Sequence, residues 1–196
     1  MICGIVLAAG RSRRMGEPKA LLRVGERTFL EHAVRVLEAG GCELVIVVTG
    51  PMNDETARHI AEDAAMLDAG IAVNPDPHSE QADSLRIALF ALPPETTAAV
   101  VAPVDVPGVS PDLVRSVIDA WRRTGAPVAA PARDGRHGHP VLFDRRVFGE
   151  LMRTELPEGA RSVVHAHAHD LAEVPVDALA PDVDTPDDYR RWRDGS

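Results

Sequence analysis

The chain has 196 residues, enough for one domain at roughly 100 to 200 residues per domain, and 45% apolar with 26% charged residues excludes a disordered or fibrous protein. Against 21 Lys and Arg stand 30 Asp and Glu, a net charge of −9 with no basic block, which argues against nucleic-acid binding. No apolar run approaches the roughly 18 residues of a membrane span, and residues 1–9 lack the charged start of a signal peptide, so a cytoplasmic protein is expected.

Residues 2–8 are apolar and run into a Gly- and Arg-rich stretch, as a buried strand followed by a loop would. Thr28 with Glu31 reads as a capping box, and apolar residues at helical spacing predict a helix from Phe29 that Gly40 and Gly41 stop. A second buried strand is expected over 43–49, a helix near 53–66, a short strand at 71–74 and a helix near 82–92. A third core strand, Ala98 to Pro103, runs into Val104-Asp105-Val106-Pro107. Ser110 caps a helix with Pro111 at its first position and Gly125 at its end. Strands at 127–131 and 139–143 follow, with helices near 145–153 and 159–168, a strand near 173–176 and a last helix from Pro186 capped by Thr185. Strands and helices alternating without repeat predict one three-layer αβα domain over residues 1–196, with a mostly parallel, Rossmann-like sheet.

In an open α/β sheet the ligand lies at the carboxyl ends of the strands, which directs attention to the loop leaving the first strand: Leu7-Ala8-Ala9-Gly10-Arg11-Ser12-Arg13-Arg14-Met15-Gly16-Glu17-Pro18-Lys19. Small residues at 8–10 let a nucleoside approach the backbone, amides near Gly10 to Ser12 can cradle phosphate, and Arg14 and Lys19 supply cations. Lys19 is the sole lysine among 21 basic residues, and a lysine is a compact point charge that the planar arginine fork cannot imitate. The loop has neither P-loop nor dinucleotide-fold spacing.

It resembles instead the nucleotidyltransferase signature Leu-Ala-Ala-Gly-x-Ser-x-Arg-Met-Gly-x-x-Lys, matched at every fixed position, and more narrowly the molybdenum cofactor nucleotidyltransferases, the MobA-like and MocA-like group. Later segments extend the resemblance over nearly the whole chain: Asn74-Pro75 with Ser84-Leu85-Arg86, Val104-Asp105-Val106-Pro107, Arg136-His137-Gly138-His139-Pro140, Gly159-Ala160-Arg161, and Asp182 to Asp188. One departure is Glu80-Gln81, where the family usually has Gly ahead of Ser-Leu-Arg.

The resemblance implies a nucleotide-diphospho-sugar transferase type of fold and a nucleotide site of Leu7, Ala8, Ala9, Gly10, Arg11, Ser12, Lys19, Asn74 and Ser84. It implies that Lys19 stabilises charge at the α-phosphate, that Arg14 meets the outer phosphates, and that Asp105 and Asp184 hold Mg²⁺, a cation content with one or two carboxylates plus water and phosphate oxygens. Arg136, Gly138 and His139 are implied at the acceptor. Leu-Ala-Ala-Gly resembles the cytidylyl branch, so the expected partners are CTP, with GTP as the alternative, and a molybdopterin-type phosphate, with hand-over of the product to a molybdenum hydroxylase.

Other readings stand beside these. Asp182, Asp184, Asp187 and Asp188 lie beside a helix start, where the dipole favours carboxylates, and His139 can serve packing. His165, His167 and His169 read as a solvated helix end rather than a zinc site, because residues two apart do not share a helix face. Cys3 and Cys42 read as buried thiols. A sugar or polyol phosphate acceptor, and a binding module without turnover, remain the alternative functions.

Overall fold

The computed structural model describes residues 1–10 and 14–194. Its central sheet has eight strands, in the order β10-β7-β9-β6-β1-β4-β5 with β8 paired to β7. In chain order the elements are β1 (Ile2–Leu7), the hairpin strands β2 (Arg23–Val24) and β3 (Arg27–Thr28), α1 (Phe29–Ala39), β4 (Leu44–Thr49), α2 (Glu55–Met66), β5 (Gly70–Val73) and α3 (Gln81–Ala91). Then come β6 (Ala98–Pro103), α4 (Pro111–Thr124), β7 (Val128–Arg133), β8 (Arg136–His137), β9 (Val141–Asp144), α5 (Phe148–Leu151), α6 (Ala160–Ala166), β10 (Ala172–Pro175) and α7 (Pro186–Asp194).

β1 pairs in parallel with β4 on one side and β6 on the other. All six residues of β1 are buried, as expected of a parallel strand covered on both faces, whose sequence is an apolar run rather than an alternation. The alternation appears in which layer each residue feeds: Ile2 and Val6 join the core under α1, α2, α4 and α7, while Ile5 and Leu7 join the core under α3, α5 and α6. That is the expected three-layer α/β arrangement. Among the described residues, no helix is long and apolar enough to cross a membrane.

Local signals act as their chemistry requires. Thr28 Oγ1 accepts from the Glu31 amide while Glu31 accepts from the Thr28 amide, a complete capping box. Ser110 caps α4 ahead of Pro111, and Gly125 ends it at φ 65°, in the left-handed region glycine tolerates.

The differences from the sequence expectation are local. The β2–β3 hairpin and β8 have strands of two residues, too short to show any period. The stretch expected as a helix near 145–153 divides into a 3₁₀ turn at Arg145–Val147 and the short α5. β9 runs antiparallel to both β6 and β7, so the sheet is mostly parallel with one central reversal.

Candidate functional site

The chain leaves β1 for β4 on one side and later returns to β6 on the other. The carboxyl ends of β1 and β6 therefore flank a switch point, where loops diverge and leave a crevice. Two adjoining cavities open there, of about 560 and 570 Å³, sharing Leu7, Glu80 and Gln81 in their walls. One holds the loop residues Leu7 to Gly10 with Arg14, Lys19, Ser84, Asp105 and Asp184. The other holds Arg136, Gly138 and His139 with Gly159 and Arg161. The residues assigned to nucleotide and acceptor thus sort into two halves of one cleft. Arg11 and Ser12 lie outside the described residues.

At the centre of the first half, Lys19 Nζ donates to Asp105 Oδ2 at 2.7 Å and to Asp184 Oδ1 at 2.5 Å. Three separate segments bring these groups together. Lys19 begins a 3₁₀ turn after the glycine-rich loop, and Asp105 follows β6. Asp184 precedes α7, in a segment held to the Asp105 loop by the Val183 amide, which donates to the Asp105 carbonyl at 2.8 Å. Arg14 adds a second cation on Asp184 at 2.9 Å. Burial works against the Lys19 ammonium, but hydrogen bonds and charge from both carboxylates outweigh it and hold its pKa above the ordinary lysine value. Correspondingly, the Lys19 hydrogen bond holds Asp184 below the usual carboxylate range.

The acidic stretch before α7 divides by role. Asp188 accepts from the Thr185 amide and hydroxyl and so caps the helix, and Asp187 pairs with Arg190. Asp184 alone of these three turns into the cleft. Two carboxylates converging on one cationic atom form a donor set that fits a divalent ion whose remaining positions go to water and phosphate oxygens. Among the described residues no cluster of three or more ligating side chains exists.

Asn74 differs from its assignment. It is 2% exposed and absent from the cavity wall, and its amide donates to Ser84 Oγ at 2.9 Å and Ser79 Oγ at 2.7 Å. Its carbonyl oxygen accepts from the Asp76 amide. Asn74 therefore braces the 76–79 loop and Ser84 from behind. Pro77, His78 and Ser79 line the nucleotide half, and no motif in the sequence marked them.

In the second half, burial pushes His139 below the ordinary histidine value, opposed by the charges of Asp182 and Asp105. Asp182, missed among its acidic neighbours, is raised by burial and by the Asp105 charge. Gly138 lies so near Leu179 that a Cβ would stand 2.9 Å from its Cδ2. His137 is drawn away to Glu173 at 2.9 Å. His165 pairs with Glu158, His167 with Glu150, and His169 lies 3.8 Å from Asp170.

Comparison with known proteins gives the same direction. The profile described as the MobA-like NTP transferase domain matches residues 4–171. The molybdenum cofactor cytidylyltransferase of Escherichia coli K12 is 26% identical over 94% of this chain and 92% of its own. A protein of Paenarthrobacter nicotinovorans named nicotine blue oxidoreductase is 31% identical over the same shares. The 2-C-methyl-D-erythritol 4-phosphate cytidylyltransferase of Streptomyces coelicolor is 37% identical over 65% of this chain, and the match spans about half (48%) of that relative. Among solved structures, Rv0371c of Mycobacterium tuberculosis superposes with a TM-score of 0.85 at 34% identity, over 98% of both chains. The same protein has been solved in complex with manganese.

Proposed function

We propose that this chain, which belongs to the MobA-like NTP transferase family and is a nucleotidyltransferase, moves CMP from CTP to the phosphate of the molybdenum cofactor and releases pyrophosphate, using Mg²⁺. The observation that carries this is the meeting of Lys19, Asp105 and Asp184 in the first half of the cleft, beside the second. Residues 1–196 act in this reading as one nucleotidyltransferase domain, in the cytoplasm, with the product handed to a molybdenum hydroxylase.

In the proposed reaction an acceptor phosphate oxygen attacks the α-phosphorus of CTP. The new P–O–P linkage forms as the bond to the β-phosphate oxygen breaks, and pyrophosphate leaves with that electron pair. The acceptor is already an anion at neutral pH, so no general base and no covalent enzyme intermediate are needed. Ala8, Ala9 and Gly10 let the nucleoside lie against the backbone. Lys19 holds the charge that develops at the α-phosphate, and Arg14 holds the outer phosphates. Asp105 and Asp184 would hold the metal ion, which when bound draws charge from the triphosphate oxygens.

CTP is supported by the Leu7-Ala8-Ala9-Gly10 loop, of the form expected of cytidylyl transfer, and by the cytidylyltransferase names of two relatives. A second reading, a polyol phosphate acceptor, is favoured by the Streptomyces relative, whose name specifies methylerythritol phosphate.

The test is pyrophosphate release from each of CTP, GTP, ATP and UTP with Mg²⁺ and molybdenum cofactor, against controls without acceptor and with methylerythritol phosphate. Release with CTP and molybdenum cofactor alone is expected. Release with GTP moves the protein to guanylyl transfer, release only with methylerythritol phosphate replaces the acceptor, and no release under any condition defeats the reading.

A further inference from the structure

The acceptor half of the cleft carries two guanidinium groups that come from distant parts of the chain. Arg136 stands on β8 and Arg161 in the first turn of α6, and both line the cavity of about 570 Å³. Among the described residues neither side chain has an ion-pair or hydrogen-bond partner. Of the two carboxylates on this wall, Glu158 pairs with His165, and Glu80 stands at the start of α3. His139 lines the same cavity, and its Nδ1 is one of three buried side-chain polar atoms without a hydrogen-bond partner among the described residues. His139 feels the charges of Asp182 and Asp105, which favour its protonated form, and of Arg161, which opposes it.

We propose that Arg136, Arg161 and His139 form a seat for a phosphate monoester, and that Arg161 is the residue that selects an anionic acceptor. This rests on the reading of the cleft as a nucleotidyl transfer site and names the group the second half takes. Three features suit that chemistry. Guanidinium forks meet phosphate oxygens in pairs, which a single ammonium does not. The His139 ring lines the same cavity as the two arginines. The two cavities share Leu7, Glu80 and Gln81, so a monoester held in this half lies beside the half that holds Lys19 and Asp105.

The seat can be tested without turnover, by the ³¹P line width of inorganic phosphate titrated with the protein, alone and with saturating CMP. Wild type should broaden the phosphate signal saturably, and Arg161→Gln should weaken phosphate binding about tenfold or more, the value of a charge-assisted hydrogen bond. Arg161→Lys should recover part of the loss, because it restores the charge without the fork. Arg14→Gln should leave phosphate binding in place, which separates the seat from the triphosphate end of the cleft. CMP affinity by calorimetry and the thermal melt should be unchanged in both Arg161 variants. No broadening with wild type, equal broadening with Arg161→Gln, or loss in Arg14→Gln instead would overturn the proposal. If turnover fails with every nucleotide while phosphate binding follows Arg161, the proposed reaction falls and the anion seat stands.

Discussion

In the nucleotide half of the cleft the arginine and lysine on the wall among the described residues are held by carboxylates, Lys19 by Asp105 and Asp184 and Arg14 by Asp184. In the acceptor half Arg136 and Arg161 face open space with no such partner among the described residues. In the proposed reaction the contrast follows from what each half exchanges. A nucleoside triphosphate arriving with a divalent ion brings charge of both signs, so Lys19 and Arg14 can pass to phosphate while the aspartates pass to metal, and no charge is stranded at low dielectric. An anionic acceptor brings one sign only, and a seat for it needs cations that are not already neutralised.

The strongest way to break the comparison is Lys19→Ala. Turnover should fall by about 10²–10³, the usual effect of losing one group aimed at developing charge, as read by pyrophosphate release. Asp105→Asn should cost about a hundredfold on the same grounds and should also shift Mn²⁺ binding, followed by titration, to higher concentration. Asp184→Asn should cost less, because a third of its side chain remains exposed and Arg14 shares it. Full turnover in Lys19→Ala or Asp105→Ala would remove the nucleotide half from the chemistry altogether.

Asn74→Ala should destabilise the fold by about 1–3 kcal/mol, the cost of leaving buried partners unsatisfied, measured by urea unfolding. A loss of CTP binding without a loss of stability would return Asn74 to the ligand. His139 sharpens the comparison through pH. Its folded pKa is lowered by burial, so the unfolded chain binds the extra proton first as pH falls below the ordinary histidine range near 6.5. The stability it contributes is therefore present above that range and lost as pH falls toward its folded value. His139→Asn should flatten that acid slope in unfolding measured across pH 5 to 8. Phe90→Ser, at an 86% exposed position on α3 outside both cavity walls, should change stability by no more than about 0.5 kcal/mol and leave turnover unchanged.

What could be read from the sequence depended on how far each signal reaches. The Thr28–Glu31 box, the Ser110-Pro111 start and the Gly125 stop act over one helical turn, and the structure keeps all of them. The hairpin at 23–28 and strand β8 were missed because two-residue strands have no periodicity, and the reversal of β9 because strand direction is set by partners, not by composition. The sequence marks Arg161 only as part of the Gly159-Ala160-Arg161 segment, since α6 docking on the sheet is what brings it to the cleft. The resemblance of its Asn-Pro segment places Asn74 at the nucleotide, and only the folded chain shows its amide turned to Ser79 and Ser84.

The sequence by itself determined the alternation of strands and helices, the glycine-rich loop after the first strand, and which residue types could meet phosphate and metal, because these are matters of local conformation and chemical type. Only the tertiary structure decided that Lys19 would bridge carboxylates 86 and 165 residues away, that Asp184 and not its acidic neighbours Asp187 and Asp188 would turn inward, and that Arg136 and Arg161 would line one half of the cleft with no carboxylate partner among the described residues. Those outcomes depend on which loops the sheet order brings to the switch point, and charge pairing acts between groups that are close in space whatever their separation along the chain.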